Sequence, residues 1–323
     1  MNGDQRRGWI LAASPLAGMA HGLAFGAKHP AVLQWPAFAA LGVIVLLLRS
    51  RRQWALLLTC CALFWLASYA MGLRWIGSAM IAQDGLGPAL GTLVYCLLVC
   101  GLACASILSL WLAALLGTSI RSDALYCATL SSAMLCGDLL RELLLPSFPW
   151  LAVGYAHVEG PISSLLPVIG VEGAGWFAQC TALLCGASVL SVAHRRVPRQ
   201  SALIMTAMLA AAVVLPLAIP AATRDQGSLR IAALQTAVPP RDKFRASLFG
   251  QHLQEIGDFV RDHPAQLIIT PETAVPTTLR ALTPVQKAFL EGGVSPTRAV
   301  LFGAFAEDSR EDVFNSAVML QRA

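Results

Sequence analysis

Seven apolar runs, at residues 9–26, 31–48, 54–71, 86–116, 124–145, 162–193 and 202–222, fill most of the chain before residue 223. A helix rises 1.5 Å per residue, so each run is near the ~20 residues needed to cross a hydrocarbon core. Backbone in lipid must satisfy its own hydrogen bonds, and uninterrupted runs of this length do so as helices. The fourth and sixth runs are long enough to tilt or to begin outside the core. The first is not a cleaved leader, because another run follows at once and no small-residue cleavage site stands out.

Composition agrees. The 323 residues are 56% hydrophobic and 13% charged, where a soluble domain carries about 25% charged residues. The formal net charge of +5 comes from short basic clusters between apolar runs, not from a recognition face, which excludes nucleic acid as a partner. Arg6 and Arg7 precede the first run, and Arg49, Arg51 and Arg52 follow the second. Arg121 follows the fourth, and Arg195, Arg196 and Arg199 follow the sixth. The alternate connections hold only Lys28 and Arg74, with Arg224 past the last run. This bias predicts a cytoplasmic N-terminus and, after seven crossings, a segment outside the cytoplasm from about residue 223.

Nine cysteines all lie at or before Cys185, inside apolar runs. Cys96, Cys100 and Cys104 share a helical face, but no histidine or carboxylate is interleaved with them. They read as small buried packing residues, with no disulfide framework and no metal. His21, His29, His157, His194, His252 and His263 have no ligand spacing, and nothing implies a cofactor.

From Leu229 the pattern turns to α/β. "LRIAALQ" reads as a buried strand, 242–262 as an amphipathic helix, "QLIIT" as a second strand and 284–291 as a short helix. "AVLFGAF" and "NSAVML" are a third and a fourth strand. The alternation implies right-handed crossovers with helices packed on a sheet. The chain thus divides into a transmembrane helical domain, 1–222, and an α/β domain, 223–323. In "LIITPETAVPT" a single carboxylate, Glu272, follows a strand and a proline. Such a residue can be an ordinary surface turn, or a functional group delivered to the carboxyl edge of a sheet.

Two separate blocks carry a resemblance. "LRIAALQTAVPP", "IITPETAVP", "VLFGAF" and "FNSAVML" resemble the opening part of the nitrilase, or carbon–nitrogen hydrolase, superfamily. "DLLRELLLPSFPWLAVGYAHVEGPISSLLPVIGVEGAGW" and "FWLASYAMGLRWI" resemble the membrane part of the apolipoprotein N-acyltransferases. The resemblance implies a helical bundle followed by an incomplete nitrilase-like sandwich on the periplasmic side of a bacterial inner membrane. It implies transfer of a phospholipid acyl chain to a lipoprotein's N-terminal cysteine, through a Glu-Lys-Cys triad. A thiol needs a base before it can attack, and a lysine stabilises the oxyanion.

On this resemblance Glu272 is the general base, expected in a cleft with no lysine or arginine side chain paired to it. Asn315 is in register with the family's Asn-Ser. Neither Lys243 nor Lys287 follows the "FNSAVML" strand, and no cysteine follows Cys185, so the chain is expected to be C-terminally truncated and, alone, inactive in acyl transfer. Two rivals stand beside this: a conjugal-transfer protein of the TraB type, which Thr270 in place of a tryptophan favours, and a non-catalytic membrane scaffold. Within the bundle, Asp138 and Arg141 are spaced to form an ion pair, and Arg141 can instead meet a phospholipid head group. Phe148, Pro149, Trp150 and Tyr155 are either interface anchors or the lining of a lipid entrance.

Overall fold

The computed structural model describes residues 3–26, 31–49, 53–82, 87–144, 148–218 and 226–322. Lys28, His29, Arg51, Arg52 and Arg224 lie outside the described residues. The chain forms two compact units, Met1–Ala222 and Thr223–Ala323.

The first unit is helical: α1 Gly3–Leu23, α2 Gln34–Leu47, α3 Trp54–Gly72, α4 Arg74–Ala82, α5 Gly87–Leu116, α6 Asp123–Leu144, α7 Leu166–Ala193 and α8 Arg199–Ala218. Each apolar run overlaps one of α1–α3 and α5–α8, and α4 is a further helix in what the sequence reads as a connection. Among the described residues, four helical stretches are long and apolar enough to cross a membrane: Trp54–Gly72, Gly87–Ser119, Ser163–Ala193 and Arg199–Ala218. A shorter apolar one covers Ala31–Leu47. Local signals set the ends. Ser122 caps α6, its Oγ accepting from the Leu125 amide at 3.2 Å. Gly170, with φ 70° and ψ −178°, puts a break inside α7 that a residue with a Cβ would resist.

In the bundle α1 packs on α3, α2 on α7, α5 on α6 and on α3, and α6 on α7. Phe38, Phe64, Trp65, Tyr69 and Tyr126 are fully buried in it. His21 is buried too, its ring 4.8 Å from Phe38 and 5.8 Å from Trp65, which makes it a core residue. The cysteines divide differently from expectation. Cys60, Cys61, Cys127 and Cys180 are buried, whereas Cys96, Cys100, Cys104, Cys136 and Cys185 are exposed. The stripe on α5 faces outward because that helix meets its neighbours along its opposite side, through Val99, Leu102, Ala103 and Ser106.

The second unit is a five-stranded mixed sheet: β1 Ile231–Ala233, β2 Leu267–Ile269, β3 Val275–Thr278, β4 Ala299–Glu307 and β5 Val313–Leu320. The helices are α9 Pro240–Lys243, α10 Ala246–Asp262 and α11 Pro284–Glu291. β1, β2 and β4 run parallel, and β5 returns antiparallel along β4. β2 and β3 share one edge of β4: Leu267–Ile269 pair with Ala299–Leu301, and Val275 pairs further along, with Ala304. Ile268, Val300, Phe302 and Ala304 face one side, where Leu253, Ile256 and Val260 of α10 and Leu290 of α11 cover them. Strand alternation puts Leu301, Gly303, Phe305, Asn315, Ala317 and Met319 on the other side. No helix of this unit covers that side among the described residues, and Met319 is 58% exposed.

Candidate functional site

The turn after β2 holds Glu272. Strand pairing continues one residue past β2, the Thr270 amide donating to the Leu301 carbonyl at 2.9 Å. The chain then leaves the ladder at Pro271 and rejoins it at Val275. To do so it places Thr273 at φ 53°, in the left-handed region, a genuine outlier for a β-branched residue. Strain of this kind costs on the order of 1–3 kcal/mol and persists only where the surroundings enforce it. Gly303 on β4 lets the turn lie this close to the strand. A Cβ there would stand 2.4 Å from the Thr273 amide nitrogen and 2.9 Å from both the Glu272 Cα and the Pro271 carbonyl oxygen. The turn lies directly on a strand position that has no side chain.

Gly303 is paired opposite Ala317, and Asn315 stands two residues along β5 on the same side of the sheet. The Glu272 side chain meets this residue: Asn315 Nδ2 donates to Glu272 Oε1 at 2.5 Å. Lys243, at the end of α9, donates through Nζ to the Glu272 backbone carbonyl at 2.6 Å. The carboxylate forms no ion pair among the described residues. Glu272 is exposed at the surface of its unit, not sunk in a cleft. The physical reason is the one-sided cover: α10 and α11 bury the opposite side of the sheet, and this side is open. Arranged so, the pair offers one oriented carboxylate with an amide holding one of its oxygens and the other oxygen free to take a proton.

The bundle has a polar site of its own. Arg141 of α6 is buried; its Nη2 lies 3.5 Å from Asp138 Oδ1, and its Nη1 donates to the Tyr69 hydroxyl. Tyr69 meets Ser106 Oγ at 3.2 Å, so α3, α5 and α6 share one network. Among the described residues, Arg141 Nε and Gln179 Oε1 are buried without a partner. Both residues line a narrow cavity with Asp138, Glu142, Phe148, Pro149, Tyr155 and Glu172, and it holds about 30 Å³. That is room for one or two waters and none for an acyl chain. A wider, mostly apolar cavity of about 520 Å³ lies against Phe25, Leu73, Trp75, Pro149, Trp150 and Tyr155. Its volume falls in the range of small-molecule sites. Pro149 and Tyr155 therefore line both cavities. Trp150 stacks edge-on to Phe148 at 4.6 Å and to Trp75 at 5.6 Å, and the following residue, Leu151, sits at φ 66°.

Of the residues singled out in the sequence, the structure brings Glu272 and Asn315 together in one unit. It gathers Arg141, Phe148, Pro149, Trp150 and Tyr155 around the two cavities of the other. Sequence reasoning missed Tyr69, Ser106, Gln179, Lys243 and the role of Gly303. Glu172 and Gly303 were visible as the glutamate of "PVIGVEG" and the glycine of "VLFGAF". Tyr69 stands in the quoted "FWLASYAMGLRWI" and Lys243 was considered only as a lysine out of register; nothing in the sequence flagged Ser106 or Gln179. Among the described residues no group of histidines, cysteines and carboxylates could hold a metal ion.

Removing one partner of the Arg141 network leaves a buried charge alone, which costs roughly 3–5 kcal/mol. Arg141→Ala is therefore expected to lower the unfolding temperature in detergent clearly. Asp138→Asn combined with Arg141→Gln should restore much of it. If the double variant folds normally but no longer binds phospholipid, Arg141 is a head-group contact and not a structural one.

A helical bundle with helices long and apolar enough to cross a membrane, joined in sequence to a mixed-sheet unit that presents a strand-end glutamate, defines a membrane protein of mixed architecture. Residues 17–187 match the family described as the apolipoprotein N-acyltransferase N-terminal domain, and the chain belongs to that family. It is 32% identical over 312 residues to an apolipoprotein N-acyltransferase of Ralstonia nicotianae, covering 94% of this chain and 58% of that protein. It is 32% identical over 224 residues to one of Methylococcus capsulatus, covering 66% and 42%. It is 33% identical over 208 residues to one of Verminephrobacter eiseniae, covering 59% and 37%. The chain thus spans between about two fifths and three fifths of the length of these curated relatives.

Proposed function

We propose that residues 1–323 form the membrane part and the base-bearing part of an apolipoprotein N-acyltransferase. The donor is a phospholipid and the acceptor is the N-terminal cysteine of a lipoprotein. Seven helices, α1–α3 and α5–α8, cross the bacterial inner membrane from a cytoplasmic N-terminus. The unit from residue 223 is nitrilase-like and periplasmic, and its open sheet side is the side that a sandwich would cover. Glu272 is the general base of a Glu-Lys-Cys triad.

The observation that carries this reading is the Glu272–Asn315 hydrogen bond, with the strained turn seated on Gly303. An ordinary surface turn needs neither a left-handed threonine nor a bare strand position beneath it. Glu272 takes the proton of a thiol, Asn315 fixes the carboxylate oxygen that does not, and the thiolate attacks the acyl carbonyl of the phospholipid; the ester C–O bond breaks and the lysophospholipid oxygen leaves with the proton that Glu272 holds. Residues 223–323 hold no cysteine, so the thiol comes from outside them. The apolar cavity beside Trp75, Trp150 and Tyr155 suits an acyl chain, and the narrow polar cavity does not.

The test joins residues 1–323 to the part of the Ralstonia nicotianae relative that lies outside the match. Transfer from a fluorescent phospholipid to a diacylated lipopeptide is expected from this chimera. A folded chimera that binds phospholipid and never transfers would overturn the reading. Orientation is tested separately. A reporter active only outside the cytoplasm should be active when fused after Gln226 and silent after Ser50 or Val197. The reverse pattern would reject the assigned topology.

A further inference from the structure

One end of the bundle is where α2, α5 and α7 finish and where α3, α6 and α8 begin. Described residues at or near it include Arg6, Arg7, Arg49, Arg121, His194, Arg195, Arg196 and Arg199, against Asp4 and Asp123. Trp54 and Trp111 mark the same end, with ring centroids 6.5 Å apart and Trp111 Nε1 donating to the Trp54 carbonyl at 3.3 Å. Paired tryptophans of this kind collect at the membrane–water boundary.

Into this end opens a cavity of about 150 Å³, lined by Leu46, Arg49, Asp123, Ser191, His194 and Arg196. Arg49 is fixed in it: its guanidinium is 3.0 Å from Asp123 and 4.2 Å from the centre of the Tyr126 ring. His194 and Arg196 form no ion pair among the described residues, so the lining carries more positive than negative groups.

The position of Arg196 is set by an unusual helix end. The Arg196 amide donates to the Ser191 carbonyl and the Arg195 amide to the Val192 carbonyl, both at or below 2.9 Å. These are the two bonds of a Schellman cap, in which the left-handed position is normally a glycine. Here it is Arg195, at φ 56°. A charged residue with a Cβ holds the strained position, and the turn carries Arg196 back over the end of α7. Strain retained beside converging cations points to a ligand.

We propose that this cavity binds the phosphate of an anionic phospholipid head group, with Arg49, His194 and Arg196 as its donors. Basic pockets between helices at a membrane surface take such head groups. The volume is below the ~300 Å³ of ordinary small-molecule sites, which suits a phosphate and excludes a larger soluble ligand. Apolar helix surface beside it leaves room for the lipid tails. The site lies apart from both cavities near Tyr155, and its role does not depend on the acyl-transfer reading.

The test uses the 323-residue chain in detergent, followed by thermal unfolding and native mass spectrometry. Phosphatidylglycerol should raise the unfolding temperature and persist as a bound adduct. Phosphatidylcholine with the same chains should do less, and inorganic phosphate alone should do nothing comparable. His194→Gln with Arg196→Gln should weaken phosphatidylglycerol binding by roughly fivefold or more, leaving phosphatidylcholine unaffected. Equal responses to the two lipids, or undiminished binding by the double variant, would overturn the proposal. An equal effect of inorganic phosphate would also overturn it, by making the site a free-anion site. If the double variant does not fold, Arg196→Gln is compared with Arg196→Lys, and equal affinity of these two overturns it as well.

Discussion

Glu272→Gln in the chimera with the Ralstonia nicotianae relative is expected to lower acyl transfer by roughly 10²–10⁴-fold, the range of general acid–base catalysis. Glutamine keeps the size of the side chain and can still meet Asn315, so the turn should stay folded; what it loses is the ability to take a proton. The unfolding temperature should hence change little, and the loss should fall on turnover and not on phospholipid binding. Asn315→Ala should be milder, because it frees the carboxylate to move without removing it. If instead Asn315→Ala abolishes transfer and Glu272→Gln does not, the two roles are wrongly assigned.

Gly303→Val is the second large effect. The added Cβ would meet three backbone atoms of the turn, at 2.4, 2.9 and 2.9 Å, and backbone cannot swing aside as a flexible side chain can. Overpacking of this kind costs roughly 1–3 kcal/mol, and here it also displaces Glu272. The expected result is a lower unfolding temperature of the second unit and loss of transfer even in the fraction that folds. Ala317→Val on the neighbouring strand is the control. It adds the same two methyl groups beyond Cβ opposite Gly303, at an exposed position, and should stay within about 0.5 kcal/mol of the parent. Equal damage from both would show that the sheet is merely intolerant of bulk at this point.

What the sequence disclosed follows from how local each signal is. Helix α11 matched its expected bounds because its signals are contiguous. Pro284 opens it, and Thr283 and Gln286 form a capping box, with hydrogen bonds of 3.3 and 2.8 Å. Helix α10 was expected to start at residue 242, but the chain breaks at Phe244 and Arg245, which separates α9 from it. Strand β3 was missed because Pro276 argues against a strand and only two of its residues pair with β4. Helix α4 was missed because nine residues cannot make a crossing, and the charge of Arg74 read as a connection.

The same rule governs the sites. Glu272 was legible from the strand, proline and glutamate that adjoin it. Its contact with Asn315 spans 43 residues and depends on the register of β4 with β5. The spacing of Asp138 and Arg141 announced their pairing, but Tyr69 stands 72 residues from Arg141, and the two helices meet through α5, on which both α3 and α6 pack. The strained positions, Leu151, Arg195 and Thr273, carry residue types that give no hint of a left-handed backbone.

If Glu272 activates a thiol lying outside residues 223–323, as proposed, an acyl thioester forms there and can be trapped. Residues 1–323 alone and the chimera are each incubated with a fluorescent phospholipid, denatured, and probed for label that hydroxylamine removes. The expected result is no such label on residues 1–323, label on the chimera, and its loss from the chimera with Glu272→Gln. A hydroxylamine-sensitive label on residues 1–323 alone, or one undiminished by Glu272→Gln, would contradict it.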